Sequence, residues 1–370
     1  MKRVLFVTNH PGFSKFNKPY MEWFKNNGWI VDNASPGAGV GPVDNQYDIS
    51  IHRSPYSFDN IKAIIQLYKI IKRNKYNLIH CHTEMGGLVA RLAGISARRH
   101  GTKIIYTAHN YPFYKGSSLF SWIIYYSIEK MLAPITDAVV AINQEDYEFL
   151  CHHKMAINMP YKIDGVGVNL ERFCPVSNED KIKLRAELGI DNDKFVVLYT
   201  AQFIPRKNHE MIIKAVPELI KSIPNLQIVF AGTGQSFKEM LQLADSIGAL
   251  DYISFLGGRS DIDKLCKAAD IHLATSKLEG QGINNIEAMA CGCPLVISNV
   301  RGHRDVCREG NGFKFDLDKP KDMIANVIKL YKDKVLYHRI SKQNIKDAYR
   351  FSVTREVEEM AKIYNEVLNN

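Results

Sequence analysis

No run of this 370-residue chain reaches the ~18–20 consecutive apolar residues that a membrane-crossing helix needs. The start, Met1-Lys2-Arg3 followed by Val4-Leu5-Phe6-Val7, is too short an apolar stretch for a signal peptide and has no small-residue cleavage site; it reads as a first strand. The seven cysteines are odd in number and show no paired spacing, which argues for reduced thiols in a cytosol rather than a disulfide framework. Helix-turn-helix, zinc-finger and RNA-motif signatures are missing, as is any basic stripe interleaved with aromatics. Nucleic acid is therefore not the expected partner, despite a formal net charge of +9. With 46% hydrophobic and 24% charged residues the composition is ordinary, which excludes collagen-like, disordered and coiled-coil classes. The length exceeds the ~100–200 residues of one domain, so two are expected.

The charge is unevenly placed. Residues 1–115 hold 16 Lys+Arg against 6 Asp+Glu, a net of +10, whereas residues 171–370 hold 29 against 27, a net of +2. A basic excess confined to the N-terminal third suits an anionic membrane surface or a phosphorylated substrate.

Short β-branched runs alternate with helical patterns along the whole chain. In the first half the strands are Val4–Thr8, Trp29–Asn33, Ile49–Arg53, Leu78–His82, Ile104–His109 and Ala138–Asn143, with helices such as Ile61–Arg73, Leu88–Arg98 and Leu119–Leu132 between them. The pattern restarts with Phe195–Ala201, Leu226–Ala231, Ile253–Leu256, Ile271–Ser276 and Pro294–Ser298. Alternation of this kind implies right-handed crossovers and parallel sheets, and two successive sets imply two Rossmann-like domains of the α/β class. The break falls at Tyr161–Pro175, where Gly165, Gly167 and Pro175 interrupt periodicity. Ligands are expected at the carboxyl ends of the strands, in a cleft if the two domains face each other.

The stretch Ser276-Lys-Leu-Glu279-Gly280-Gln281-Gly282-Ile283-Asn284-Asn285-Ile286-Glu287-Ala288-Met289-Ala290 carries the most information. Gly280 and Gly282 allow a tight turn, and the helix expected from Ile283 offers free amides and a positive dipole end to an anion. Glu279 before that helix and Glu287 inside it could accept hydroxyl hydrogens on either side of a diphosphate. The bland alternative is a glycine-capped surface helix with two solvated acids.

Glu279-(x)₇-Glu287, followed by Ala288-Met289-Ala290-x-Gly292-x-Pro294, resembles the retaining glycosyltransferases of family four, which have the GT-B fold. The resemblance covers essentially the whole chain and includes Tyr106-Thr-Ala-His109, Tyr114-Lys-Gly116, Ile142-Asn-Gln-Glu-Asp-Tyr147, Gly165-Val-Gly-Val-Asn169, Arg206-Lys-Asn-His209 and Asn299-Val-Arg-Gly302. It looks most like the bacterial branch that builds capsule, exopolysaccharide or O-antigen repeats on a lipid carrier. The resemblance implies that Glu279 lies by the donor sugar, that Glu287 binds ribose hydroxyls, and that the amides of Gly282, Ile283 and Asn284 hold the diphosphate, with Gly280 in the turn. Gln281 stands where many relatives have a large apolar residue, so sugar preference does not transfer. Lys207 matches the family lysine on the diphosphate. Gln202 stands where relatives have an arginine, and lacks its charge and fork. Arg206 is the candidate to supply that charge; the alternative is a surface turn residue. His109 matches the family histidine near the donor sugar, a hydrogen-bonding group rather than a nucleophile. Gly12, in Asn9-His10-Pro11-Gly12-Phe13, matches a glycine loop near donor phosphate and acceptor, or is a plain turn. Arg259 lies where the family loop approaches the nucleobase.

Other signals point elsewhere. His80-Cys81-His82 puts two histidines on one strand face, read as structural or acceptor-side rather than metal-binding. Cys291-Gly-Cys293 is too tight for zinc pairing. Asp261-Ile-Asp263 and Asp316-Leu-Asp318 imitate a metal motif, but Asp261 reads as a helix N-cap and Asp316 as a strand-end turn. Neither a catalytic metal nor a cofactor is expected, because cations and a helix end can neutralise the diphosphate. Phe113–Leu132 is unusually aromatic, with Lys115 and Lys130 at its ends. It suits an interfacial helix meeting a lipid-linked acceptor at an anionic bilayer, or a helix packed on the N-terminal sheet and partly on a homodimer partner.

The expectation is thus a GT-B enzyme with an acceptor domain over residues 1–165, a nucleotide-sugar domain over 170–350, and a helix over 353–370 packing back on the first. It would move a hexosyl or N-acetylhexosaminyl group from a nucleotide sugar, UDP-linked, to a lipid-linked saccharide, on the cytoplasmic face of the plasma membrane. A nucleotide-sugar epimerase of the same fold and a non-catalytic scaffold are the competing classes.

Overall fold

The computed structural model describes every residue except Ala38, Val40 and Lys115, together with the side chain of Pro11. Lys115, one of the two lysines that flank the aromatic segment, thus lies outside the described residues. The chain divides into two compact units, Met1–Gly167 with Val353–Asn370, and Val168–Ser352.

The first unit is built on a seven-stranded parallel sheet: β1 Arg3–Val7, β2 Ile30–Ser35, β3 Asn45–Asp48, β4 Leu78–His82, β5 Lys103–Ala108, β6 Ala138–Ala141 and β7 Tyr161–Lys162. Their order is β3-β2-β1-β4-β5-β6-β7. Period-two alternation sends Leu5 and Val7 of β1 to one core, with Ile79, Cys81, Ile104 and Tyr106, while Val4 and Phe6 enter another, with Leu78 and Ile105. The helix Val353–Asn369 closes the second core. Its Met360, Ile363, Tyr364 and Val367 recur at helical spacing and pack with Tyr20, Met21 and Phe24 of the helix Ser14–Asn26.

The second unit repeats the plan with six parallel strands, β8 Phe195–Thr200, β9 Leu226–Ala231, β10 Ile253–Phe255, β11 Ile271–Ala274, β12 Leu295–Ser298 and β13 Gly312–Phe315, in the order β10-β9-β8-β11-β12-β13. Both sheets have the Rossmann arrangement, in which strand order reverses beside the first strand of the set, and ligand crevices open at that reversal.

Three elements differ from the sequence expectation. The strand placed at Ile49–Arg53 lies upstream, at Asn45–Asp48; Ile49 and Ile51 are buried but leave the ladder. Polar contacts make β3 an edge strand: Asn45 Nδ2 donates to Asp32 Oδ1 (2.8 Å) and Asn33 Nδ2 to Gln46 Oε1 (2.8 Å). The helix Leu119–Leu132 is not uniform, because Trp122–Tyr126 widens into a π-helix between two α-helical pieces. Asp261 occupies an N-cap position, but its carboxylate takes the Arg259 guanidinium in place of the helix amides.

Candidate active site

The reversal in the second sheet lies between β8 and β11, and the loops leaving these two strands carry most of the residues singled out above. The β8 loop is fixed by its backbone. Phe203 N donates to Thr233 O and Ser236 N to Phe203 O, both at 2.9 Å, and the buried Phe203 ring stacks on His209 at 4.0 Å. Gly232 permits this approach, since a Cβ there would fall 1.9 Å from Ala201 O. The chain then makes a 3₁₀ turn at Pro205–Lys207 and enters the helix His209–Ser222 through Asn208, which is left-handed at φ +56°.

Two hydroxyls hold that turn: Tyr199 Oη donates to Lys207 O (2.9 Å) and Thr275 Oγ1 to Asn208 O (2.8 Å). The β11 loop docks beside it. Lys277 N donates to Arg206 O (2.8 Å), and Arg206 Nη1 donates to Leu278 O (2.7 Å). These bonds bring three charges together. Lys207 Nζ donates to Glu279 Oε1, and Arg206 Nη1 lies 3.6 Å from Glu279 Oε2. Glu279 is only 7% exposed. Burial alone would raise its carboxyl pKa, but the charges of Lys207, His303 and Arg206 outweigh that and hold it below the usual carboxylate range.

Glu279 leads through Gly280 and Gln281 into Gly282, which sits at φ +82° before the helix Ile283–Ala290. No side chain caps this helix; Asn285 N donates to Gly282 O (3.0 Å), and a helix N-terminus of this kind suits an anion. Asn284 Nδ2 donates to Thr200 O (2.9 Å), tying the helix to the end of β8. Glu287 lies one turn in and is half-buried. The sequence reading missed His303. Its Nδ1 faces Ser298 Oγ (3.1 Å), while the buried Nε2 has no hydrogen-bond partner and lies 3.1 Å from where a Gly282 Cβ would stand. Thr200 Oγ1 is also buried and unpaired. Two orphaned polar atoms beside an uncapped helix end and two cations are what a polyanionic ligand would satisfy. The signal for His303 was its place directly after Asn299-Val-Arg-Gly302.

The remaining residues fall outside this cluster. Gln202 is exposed, and Arg259 is engaged by Asp261 at 2.8 and 2.5 Å. In the first unit, Gly12 lies in a 3₁₀ turn with its amide on His10 Nδ1 (3.1 Å). His109 follows β5, its Nε2 is 3.1 Å from His82 Nδ1, and the Phe13 ring meets it edge-on at 4.5 Å. Burial lowers its pKa to about 3, so it is neutral. His80 bonds Thr107 and Tyr364 (both 2.8 Å), a structural role. Cys293 Sγ donates to Cys266 O at 3.1 Å.

Residues 22–158 match the family model described as Glycosyltransferase Family 4, and residues 180–347 that described as Glycosyl transferases group 1. A Bacillus subtilis protein named as a glycosyltransferase, EpsD, is 40% identical over 98% of this chain and 96% of its own length. The Escherichia coli UDP-Gal:alpha-D-GlcNAc-diphosphoundecaprenol alpha-1,3-galactosyltransferase is 26% identical over 89% of this chain and 88% of its own. Among solved structures, Anabaena HepE in complex with UDP and glucose superimposes with a TM-score of 0.80 at 21% identity, covering 99% of this chain and all of that one. The chain belongs to the glycosyltransferases of the GT-B fold, with a family 4 N-terminal domain and a group 1 C-terminal domain.

Proposed function

We propose that this enzyme moves a hexosyl or N-acetylhexosaminyl group from a UDP-sugar to a hydroxyl of a lipid-linked saccharide, with retention of configuration, in bacterial surface polysaccharide synthesis. The observation that carries the reading is the cluster of Lys207, Arg206 and Glu279 beside the uncapped helix end at Ile283. The printed name of the Escherichia coli relative supports a UDP donor and a diphosphoundecaprenol-linked acceptor, and the UDP in HepE supports the same donor.

In this reading the bond from the anomeric carbon to the diphosphate breaks with charge growing on the leaving phosphate. Lys207 and Arg206, held beside the helix end by Glu279, would pass from that carboxylate to the growing charge on the diphosphate. The leaving phosphate takes the acceptor proton. Glu279 accepts donor sugar hydroxyls, Glu287 accepts ribose hydroxyls, and His109 hydrogen-bonds the donor sugar. Because these groups neutralise the diphosphate, no catalytic metal is required.

Titration calorimetry with UDP, GDP and ADP, with and without EDTA, is the direct test. Micromolar, EDTA-insensitive binding of UDP is expected. Failure of all three nucleotides to bind would refute the donor site. Transfer from UDP-sugars to undecaprenyl-diphosphate-linked N-acetylglucosamine, with product anomers assigned by NMR, then tests the reaction; turnover of donor without acceptor would indicate an epimerase.

A further inference from the structure

His82 closes β4 and His109 follows β5, so the parallel ladder sets the two histidines side by side at the carboxyl edge of the first sheet. The backbone of His82 is held by the turn after it. Thr83 lies at φ +67° and ψ 159°, a region almost reserved for glycine, and its Oγ1 donates to His82 O and accepts from Gly86 N at 3.3 Å. Aromatic rings wall the pair: Phe6 lies parallel to His82 at 6.4 Å, and Phe13 meets His82 at 5.7 Å and His109 at 4.5 Å. His80, on the same strand face, has both nitrogens engaged by Thr107 and Tyr364. The partner of His82 Nδ1 is His109 Nε2, 3.1 Å away, and the buried His82 Nε2 has none.

That orphaned nitrogen decides the direction of the bond. Burial lowers the pKa of both rings, that of His109 to about 3, so each is neutral and carries one N–H. If His109 Nε2–H donated, His82 would keep its own proton on Nε2, an N–H buried without an acceptor. If His82 Nδ1–H donates, its Nε2 is a bare lone pair and the proton of His109 sits on Nδ1. An orphaned buried N–H is the rarer and costlier defect, so the second arrangement is favoured. In water an imidazole leans towards Nε2–H, so His109 holds its proton on Nδ1 only while His82 imposes it. Among the described residues His109 Nδ1 has no partner, and the ring is half-buried, which leaves that N–H open to a ligand.

We propose that His82 is a positioning residue that fixes His109 as a hydrogen-bond donor at Nδ1, offered to an oxygen of the donor sugar. The identity of that ligand rests on the glycosyltransferase reading above; the hold of one histidine on the other does not. A merely structural His82 predicts lower stability on substitution with the His109 tautomer unchanged.

The test uses the full chain labelled with ¹⁵N-histidine. Two-bond ¹H–¹⁵N correlations report the tautomer, and loss of signals in His109→Gln assigns them. Wild-type His109 is expected to be protonated on Nδ1, and His82→Leu should move the proton to Nε2. In steady-state kinetics His82→Leu should lower kcat by about tenfold, the worth of one well-placed hydrogen bond, with acceptor KM unchanged. His82→Asn, whose amide nitrogen can stand where Nδ1 stands, should restore the Nδ1–H tautomer and most of kcat. Circular dichroism and UDP titration should match wild type in both variants. An Nε2–H tautomer in the wild type, or wild-type kcat in His82→Leu, would overturn the proposal. Absence of sugar transfer by the wild type would instead refute the glycosyltransferase reading, and the tautomer shift would then decide the hold of His82 on His109 by itself.

Discussion

The ammonium of Lys207 rests on one carboxylate oxygen of Glu279, and the Arg206 guanidinium lies 3.6 Å from the other. All three come from loops at the reversal of one sheet, so each charge is held by its neighbours. A bound diphosphate would compete for the two cations and free the Glu279 carboxylate for sugar hydroxyls.

Replacing Lys207 separates the two roles of this pair. Lys207→Ala removes a group aimed at the leaving charge, and kcat/KM should fall by about 10²–10³. It also strips a buried carboxylate of its nearest cation, which costs roughly 3 kcal/mol, at the low end for a broken buried pair because Arg206 remains. Urea unfolding and steady-state kinetics on one preparation measure both. Wild-type turnover in this variant would remove Lys207 from the mechanism.

His303 makes stability depend on pH. Burial lowers its pKa to about 4, against an ordinary value near 6.5. The unfolded chain therefore takes the proton first as pH falls. This stabilisation is complete above pH ~6.5, is lost between there and about 4, and amounts to about 3 kcal/mol at ~1.4 kcal/mol per pH unit. Glu279, held below its ordinary value, adds a second loss at lower pH, as pH falls below the carboxylate range. His303→Asn should remove one proton's share of the slope between pH 6.5 and 4.5, the rest coming from His80, His109, His209 and His272, which burial lowers to about 3, and from His82, which burial also lowers. Parallel profiles for wild type and variant would show that His303 is not the titrating group.

Much of this was legible because buried parallel strands are continuous apolar runs. Val4–Val7, Phe195–Thr200 and Ile271–Ala274 announce themselves. β3 did not, since Asn45-Gln46-Tyr47-Asp48 is held by polar side chains of β2, whereas the apolar Ile49 next to it only fills the core. β7 is two residues long, and the Gly-Phe-Lys-Phe of β13 carries no β-branched residue. At the site, Glu279 and the glycine turn stand out within one stretch of sequence, whereas Lys207 is singled out only by the family resemblance. The pairing of Lys207 with Glu279 and the orphaned nitrogen of His303 depend on loops far apart in sequence, which one chain without structure does not disclose.

Arg206 and Gln202 can be tested as alternatives for one charge. Gln202 is exposed on the same loop, whereas Arg206 already reaches the Glu279 carboxylate. Arg206→Ala should lower UDP affinity by about tenfold, the value of one hydrogen bond to a charged group. Adding Gln202→Arg should restore most of it. If Arg206→Ala binds UDP like wild type, the compensation is refuted.

Gly302 sets the fit of the donor loop. At φ +35° it packs so closely that a Cβ would lie 2.6 Å from Gly280 O and Gln281 N. Gly302→Ala must push the Gly280–Gly282 turn away from its place. The expected result is at least a tenfold rise in donor KM. Acceptor KM should stay within a factor of two, because acceptor binding is expected on residues 1–165, in the other unit. An equal rise in both would mean the unit had lost more than this loop.

The aromatic segment presents two faces with opposite fates. Trp122 and Tyr126 pack with Phe113 and Phe149, and Arg91 pins Glu129, so the inner face is anchored. Leu119, Phe120, Ile123 and Met131 are left 61–75% exposed, and Tyr56, which lies near Tyr125, extends the apolar surface. Fully burying one such side chain is worth ~1.5–3 kcal/mol, and each lysine or arginine near an anionic surface adds about 1. Partial insertion of three side chains therefore suffices for a tenfold effect or more. The enzyme should sediment with phosphatidylglycerol vesicles and much less with phosphatidylcholine, and salt at 0.5 M, where screening is short-ranged, should weaken the association. Leu119→Ser combined with Phe120→Ser and Ile123→Ser should release it at least tenfold without loss of folding, since all three side chains already face outward. Unchanged sedimentation of the triple variant would show that this face does not meet lipid. A fall in mass from dimer to monomer in the same variant would assign it to a second copy of the chain.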